Sequence, residues 1–195
     1  MTMFEHRFDT FRQDAARWVV QGQVADPSTL STADILKLLY RYMSLRATAW
    51  FRFGGWCKQH RLPLLPGFVQ RRILRVYGLE ISPGMDVGGG LYIAHPVGTA
   101  IYARHIGRNC SIIATVTIGM RNKWEFPAIG DDVFIGAGAR VLGGIEVGDG
   151  ARIGANAVVI HDVPSYSTAV GIPAQVVNKE ATHAPVERID AIPTS

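Results

Sequence analysis

From Ile129 to Pro164 the chain reads Ile129-Gly-Asp-Asp-Val-Phe, Ile135-Gly-Ala-Gly-Ala-Arg, Val141-Leu-Gly-Gly-Ile-Glu, Val147-Gly-Asp-Gly-Ala-Arg, Ile153-Gly-Ala-Asn-Ala-Val and Val159-Ile-His-Asp-Val-Pro, without an insertion. An aliphatic residue opens each unit, a small or turn-forming residue usually follows, and a small or branched residue takes the fifth place. A unit of six is too short to bury a face alone, so it must stack on copies of itself, which marks a parallel β-helix. Three units make one triangular coil of about eighteen residues, with successive coils roughly 4.8 Å apart. The opening aliphatics are expected to form inward ladders, with Gly, Asp and Asn turning the corners.

The same phase runs earlier in the chain. Units open at Ile81, Val87 and Ile93, and after a slip of one residue at Ile106 and Ile112. Ile118 and Ile129 lie eleven residues apart where six would do. The spacing therefore predicts an extruded loop over 119–128, centred on Met120-Arg-Asn-Lys-Trp-Glu-Phe126. Loops on rigid scaffolds are where binding and catalysis concentrate.

The remaining sequence divides in two. Residues 1–79 read as a small helical N-terminal region, with a first helix over Asp9–Val20, a second from a Ser31–Asp34 capping box through Ile35 to Ala49, and a short third over Phe68–Val76. Residues 178–195 read as a mobile tail, leaving 80–177 as the solenoid domain. No stretch approaches the roughly 20 apolar residues of a membrane span. The polar start is not that of a signal peptide, and Cys57 and Cys110 are too few for a disulfide framework. Cys110 sits at an inward fifth position as a small filler. A cytoplasmic protein is the expectation.

Charge is uneven. Residues 1–79 carry 12 Lys+Arg against 5 Asp+Glu, while the solenoid carries 6 against 8. Residues 35–78 hold nine basic side chains and no acid, interleaved with Tyr40, Tyr42, Trp50, Phe51, Phe53 and Trp56. Two readings stand: a solvated basic face over an ordinary aromatic core, or peripheral contact of 35–78 with the inner face of an anionic membrane. No recognition motif for nucleic acid accompanies the charge.

His95, His105 and His161 fall within the solenoid. Zinc needs three or four convergent ligands, and this spacing does not cluster them, so no metal is expected. His95 takes the third, outward place of its unit. An eighteen-residue coil would stack Glu80 on Gly98, close to His95, where a carboxylate could fix the imidazole tautomer and support a general base.

The span from about Tyr77 to Val177 resembles the serine O-acetyltransferases and their relatives in bacterial polysaccharide gene clusters, of the colanic-acid type. The matching pieces are Glu80-Ile-Ser-Pro, His95-Pro-Val-Gly98, Val116-Thr-Ile-Gly119, Ile135-Gly-Ala-Gly-Ala-Arg140, Ile145-Glu-Val-Gly-Asp-Gly150, Ile153-Gly-Ala-Asn-Ala157 and Gly171-Ile-Pro-Ala-Gln-Val176. The resemblance implies a left-handed β-helix, a homotrimer with active sites between subunits, and acetyl-CoA as cosubstrate with no permanently bound cofactor. It implies His95 as the base that deprotonates an acceptor hydroxyl and Glu80 as its acidic partner. Gly119 would lie by the oxyanion, and Ala137, Arg152 and Ala155 would line the CoA groove.

Two departures bear on the acceptor. Serine acetyltransferases carry an aspartate just before the catalytic histidine, where this chain has Ala94. They carry Arg-His-Pro in the extruded loop, where this chain has Glu125-Phe126-Pro127. A sugar acceptor in exopolysaccharide or surface-polysaccharide biosynthesis, stacked on Trp124 or Phe126, is therefore the leading expectation. Serine O-acetylation in cysteine biosynthesis and a non-catalytic scaffold are the alternatives.

Overall fold

The ladders expected from the six-residue period line all three faces of a parallel β-solenoid in the computed structural model, which describes residues 3–178 apart from residue 24, with side chains over 9–177. One face stacks β1 (Leu79–Ile81), β3 (Thr99–Ile101), β6 (Thr117–Gly119), β9 (Arg140–Leu142) and β12 (Val158–Val159). Its inward ladder is Ile81, Ile101, Ile118, Val141 and Val159. A second face stacks β4 (His105–Ile106), β7 (Ala128–Ile129) and β10 (Glu146–Val147). Isolated bridges extend it to Val87 and Val163.

The third face stacks β2 (Tyr92–His95), β5 (Ser111–Ala114), β8 (Phe134–Ile135), β11 (Arg152–Ile153) and β13 (Thr168–Gly171). An antiparallel partner, β14 (Ala174–Asn178), closes its end. Ile93, Ile112, Ile135, Ile153 and Ala169 form the ladder here. Each ladder residue is almost wholly buried. Full burial of an aliphatic side chain contributes about 1.5–3 kcal/mol, so these columns are the main cohesive term of the solenoid.

The coil length is not uniform. Eighteen-residue steps hold from β8 to β11 and from β9 to β12. Glu80 pairs with Ala100 instead of Gly98, because the first coil is longer. Gly98 instead donates its amide to Gly78 O at 3.0 Å. The step from Thr117 to Arg140 absorbs the loop extruded between β6 and β7.

Four helices precede the solenoid: α1 (Met3–Ala16), α2 (Thr32–Arg41), α3 (Met43–Gln59) and α4 (Leu65–Tyr77), with a 3-10 turn at Pro27–Thr29. The capping box is present: Asp34 N–H donates to Ser31 Oγ at 3.2 Å, and Ser31 N–H donates to Asp34 Oδ2 at 3.1 Å. The single helix expected from Ile35 to Ala49 is two, divided at Tyr42, whose backbone is extended. There the Tyr42 ring packs 4.7 Å from Trp18, and Trp18 packs 4.7 Å from Tyr92 on the solenoid. Tertiary packing of an aromatic has overridden local helix propensity. The first helix stops at Ala16, short of the expected Val20, and α4 begins at Leu65 with Pro66 in its first turn, where proline is tolerated.

The helices are fastened to the first coil by buried charge. Asp14 accepts from Arg52 Nε at 2.8 Å, from Arg52 Nη2 at 3.0 Å and from Leu91 N–H at 2.8 Å. Burial pushes the Asp14 carboxyl up, opposed by the Arg52 guanidinium. Arg17 donates to Asn109 O at 2.5 Å and Ser111 Oγ at 2.7 Å, and burial lowers its pKa. A Cβ at Gly89 would meet Gln13 Oε1 at 1.9 Å, so the glycine run Gly88–Gly90 lets α1 lie directly on the coil. Two of the N-terminal basic residues are thus structural ties. The tail expected over 178–195 lies outside the described residues, apart from Asn178 at the end of β14.

Candidate active site

His95 ends β2 with its side chain exposed at the corner made by Pro96–Gly98. Its strand neighbour in the next coil is Ala114. Thr115 follows with φ +53°, a left-handed conformation that is costly for a β-branched residue. Arg140 Nη1 donates to the Thr115 carbonyl and, at 3.1 Å, to Gly138 O, pinning this corner. Among the described residues no hydrogen bond engages the His95 ring, which leaves both nitrogens open to an acceptor or an orienting group.

Glu80 lies on β1, on the neighbouring face. Its carboxylate does not hydrogen-bond His95. Oε1 instead accepts from the Tyr102 hydroxyl at 2.7 Å. Tyr102 stands two residues beyond Ala100, the strand partner of Glu80, and so lies diagonally across on the same face. Desolvation first, and then the Glu80 carboxylate, push the Tyr102 phenol up to about 12. Sequence reasoning missed Tyr102 because it assumed an eighteen-residue first coil. A twenty-residue step would have revealed it.

The extruded loop reaches Tyr102, beyond the end of β3 that lies away from the Pro96–Gly98 corner. Phe126 packs edge-on to Trp124 at 5.4 Å and tilts against Tyr102 at 6.5 Å. Trp124, at 80% exposed, presents most of its ring to solvent. Glu80, Tyr102, Phe126 and Trp124 are thus joined in one row, while His95 pairs along its own face with Ala114. Gly119 ends β6 just before the loop, and a Cβ there would meet nothing within 4 Å, so the backbone faces open space. Its carbonyl accepts from Gly143 N–H at 2.9 Å.

Ala137 and Ala155 lie one coil apart, with Asn156 N–H donating to Ala137 O at 2.8 Å. Small side chains here leave the coil edges uncovered. Arg152 stacks over the Phe134 ring at 4.9 Å with its side chain exposed. A cation held against an aromatic face by stacking keeps its hydrogen-bond donors available for a phosphate. His105 lies apart from this row, where its Nδ1 pairs with Asp86 Oδ2 at 2.7 Å. Among the described residues no group of three or more His, Cys, Asp or Glu side chains could hold a metal ion.

The chain is similar to known proteins over most of its length. The family model described as bacterial transferase hexapeptide (six repeats) matches residues 127–161. The chain is 39% identical over 146 residues to the serine acetyltransferase of Synechococcus elongatus, covering 73% of this chain and 60% of that one. It is 36% identical over 159 residues to the serine acetyltransferase of Helicobacter pylori, covering 80% of this chain and 91% of that one. The chain therefore spans about three fifths of the longer relative and nearly all of the shorter.

Among solved structures, the serine acetyltransferase of Neisseria gonorrhoeae in complex with serine superposes with TM-score 0.74 at 32% identity, over 88% of this chain and 69% of that one. A serine acetyltransferase in complex with CoA superposes with TM-score 0.72 at 31% identity, over 89% and 70%. The expected closer affinity with polysaccharide-cluster enzymes finds no support in these matches. By the extent and identity of these matches, the chain belongs to the serine acetyltransferase family of hexapeptide-repeat acyltransferases.

Proposed function

We propose that this protein is an acetyl-CoA-dependent O-acetyltransferase acting as a homotrimer, with L-serine as the first acceptor to consider. The observation that carries the reading is His95, exposed at a solenoid corner with no hydrogen bond to its ring among the described residues. His95 takes the proton of the acceptor hydroxyl, and the oxygen attacks the thioester carbonyl of acetyl-CoA. The oxyanion that forms is stabilised by backbone amides near Gly119. Its collapse breaks the C–S bond, and the imidazolium returns the proton to the departing thiolate. The products are an O-acetyl ester and CoA.

Glu80 serves as the acidic group that steadies His95, and the Tyr102 hydroxyl holds that carboxylate in place. Ala137 and Ala155 let the pantetheine arm approach the backbone, and Arg152 meets a phosphate. The acetyl-CoA assignment is supported by likeness to an enzyme solved with CoA, and the serine assignment by the names of the relatives.

A second reading, a sugar hydroxyl as acceptor, is favoured by one observation. Ala94 and Phe126 stand where serine acetyltransferases carry charged and polar groups, and the exposed Trp124 ring could stack on a pyranose. A site lacking such polar partners loses discrimination of roughly 10⁴–10⁵. Release of CoA thiol from acetyl-CoA, measured with L-serine and with a panel of sugars and nucleotide sugars, decides between the two. His95→Ala should lower the rate with the true acceptor by about 10²–10⁴. Turnover undiminished in that variant would sink the mechanism, and no turnover with any hydroxyl acceptor would favour a scaffold.

A further inference from the structure

Helices α3 and α4 pack against each other and present an outer surface that the solenoid does not cover. On α3 the rings of Trp50 and Phe53 meet edge-on at 5.8 Å, and Phe53 stacks on Trp56 at 6.0 Å. His60 continues the row, 4.4 Å from Trp56. Phe68, Arg72 and Val76 recur at every fourth residue of α4, with Arg71 and Arg75 beside them. The Arg72 guanidinium sits over the Trp50 ring at 4.7 Å, joining the two helices into one face.

The apolar members of this face are unusually open. Phe53 is 43% exposed, Phe68 53% and Leu64, in the turn between the helices, 87%. Phe68, Arg71, Arg72, Arg75 and Val76 also line a shallow cavity of about 140 Å³. Among the described residues no carboxylate pairs with Arg71, Arg72 or Arg75, and no acid occurs anywhere from 35 to 78. Aromatic rings set among unpaired arginines over an apolar floor match an anionic lipid interface: the rings enter the headgroup region and the guanidinium groups meet phosphates.

We infer that the α3–α4 face is a docking surface for an anionic phospholipid membrane. Twofold pairing of this face would set arginines against arginines with no intervening acid, and a contact within the proposed trimer is the rival that the oligomer readout below detects. A lipid surface supplies the missing negative charge and accepts the exposed rings together. The inference does not depend on the acceptor or on catalysis.

The test is co-sedimentation of the full-length protein with vesicles of phosphatidylcholine alone and of phosphatidylcholine with about 30 mol % phosphatidylglycerol. Binding is expected to the anionic vesicles only, and to weaken sharply as salt rises from about 0.1 M to about 0.5 M. Phe68→Ser and the double variant Arg71→Gln/Arg75→Gln should each lower partitioning about tenfold, with thermal midpoint and sedimentation coefficient unchanged. Absence of binding, equal binding to both vesicles, or variants that bind like the parent would overturn the inference. So would variants that fall to a smaller oligomer, which would assign the face to a subunit contact.

Discussion

The Tyr102 hydroxyl donates a 2.7 Å hydrogen bond to Glu80 across adjacent coils, and so ties the candidate acidic partner to the aromatic loop. Because this bond acts on Glu80, Tyr102 is a positioning residue. Tyr102→Phe should lower kcat about tenfold, the value of one hydrogen bond to a charged group, with the KM for acetyl-CoA unchanged. Stability supplies an independent readout. The phenol titrates near 10 when unfolded and near 12 when folded, so the unfolded chain loses its proton first. Stability from this group is complete below pH 10 and declines as pH rises toward 12. The parent's melting temperature should therefore fall more steeply than that of Tyr102→Phe across this window.

Thr115 turns the corner beside His95 with φ +53°. Asn and Gly adopt this conformation at lower cost, and strain of this kind amounts to about 1–3 kcal/mol. Thr115→Asn should raise stability by about 1 kcal/mol in urea titration. A loss of stability would show that the threonine methyl or hydroxyl has packing value greater than the strain.

Asp14 is the link between helices and solenoid, because it binds Arg52 of α3 and the Leu91 amide together. Asp14→Asn leaves the Arg52 guanidinium without its counter-charge in a largely buried place. The expected cost is about 3–5 kcal/mol in chemical denaturation. A change below about 1 kcal/mol, typical of exposed pairs, would mean that water reaches this pair in solution.

Both cysteines are buried. The Cys110 thiol is pushed up to about 12 by burial and that of Cys57 is raised for the same reason. The thiolate is the reactive form, so a thiol reagent at neutral pH should label neither residue in the native protein and both after denaturation. Rapid native labelling of Cys110 would mean that the coil opens at its inward fifth position.

The solenoid was legible in the sequence because its period is local: apart from Ile101, the ladder residues from Ile81 to Val159 open units that can be counted off the chain. Corner geometry was less so. Coil lengths differ, and a shift of two residues in the first coil moved Glu80 from Gly98 to Ala100 and hid Tyr102. The break at Tyr42 was not legible, since it answers to Trp18 and to Tyr92 of the solenoid, distant in sequence. The basic N-terminal charge was visible as a total. Only the structure separates Arg17 and Arg52, which hold backbone carbonyls, from Arg71, Arg72 and Arg75 on the open face.

Trp124 offers the sharpest probe of the acceptor. Its ring touches Phe126 but is otherwise open to solvent, so its removal should not disturb the fold. If the acceptor is a sugar, Trp124→Ala removes a stacking surface of about 0.5–1.5 kcal/mol, raising the acceptor KM roughly threefold to tenfold with kcat little changed. If the acceptor is L-serine, there is no ring to stack, and the variant should keep its acceptor KM within about twofold. The KM for acetyl-CoA serves as the internal control, because the proposed CoA edge lies along Ala137 and Ala155. A rise in that constant alone would instead place Trp124 against the donor and remove it from the acceptor pocket.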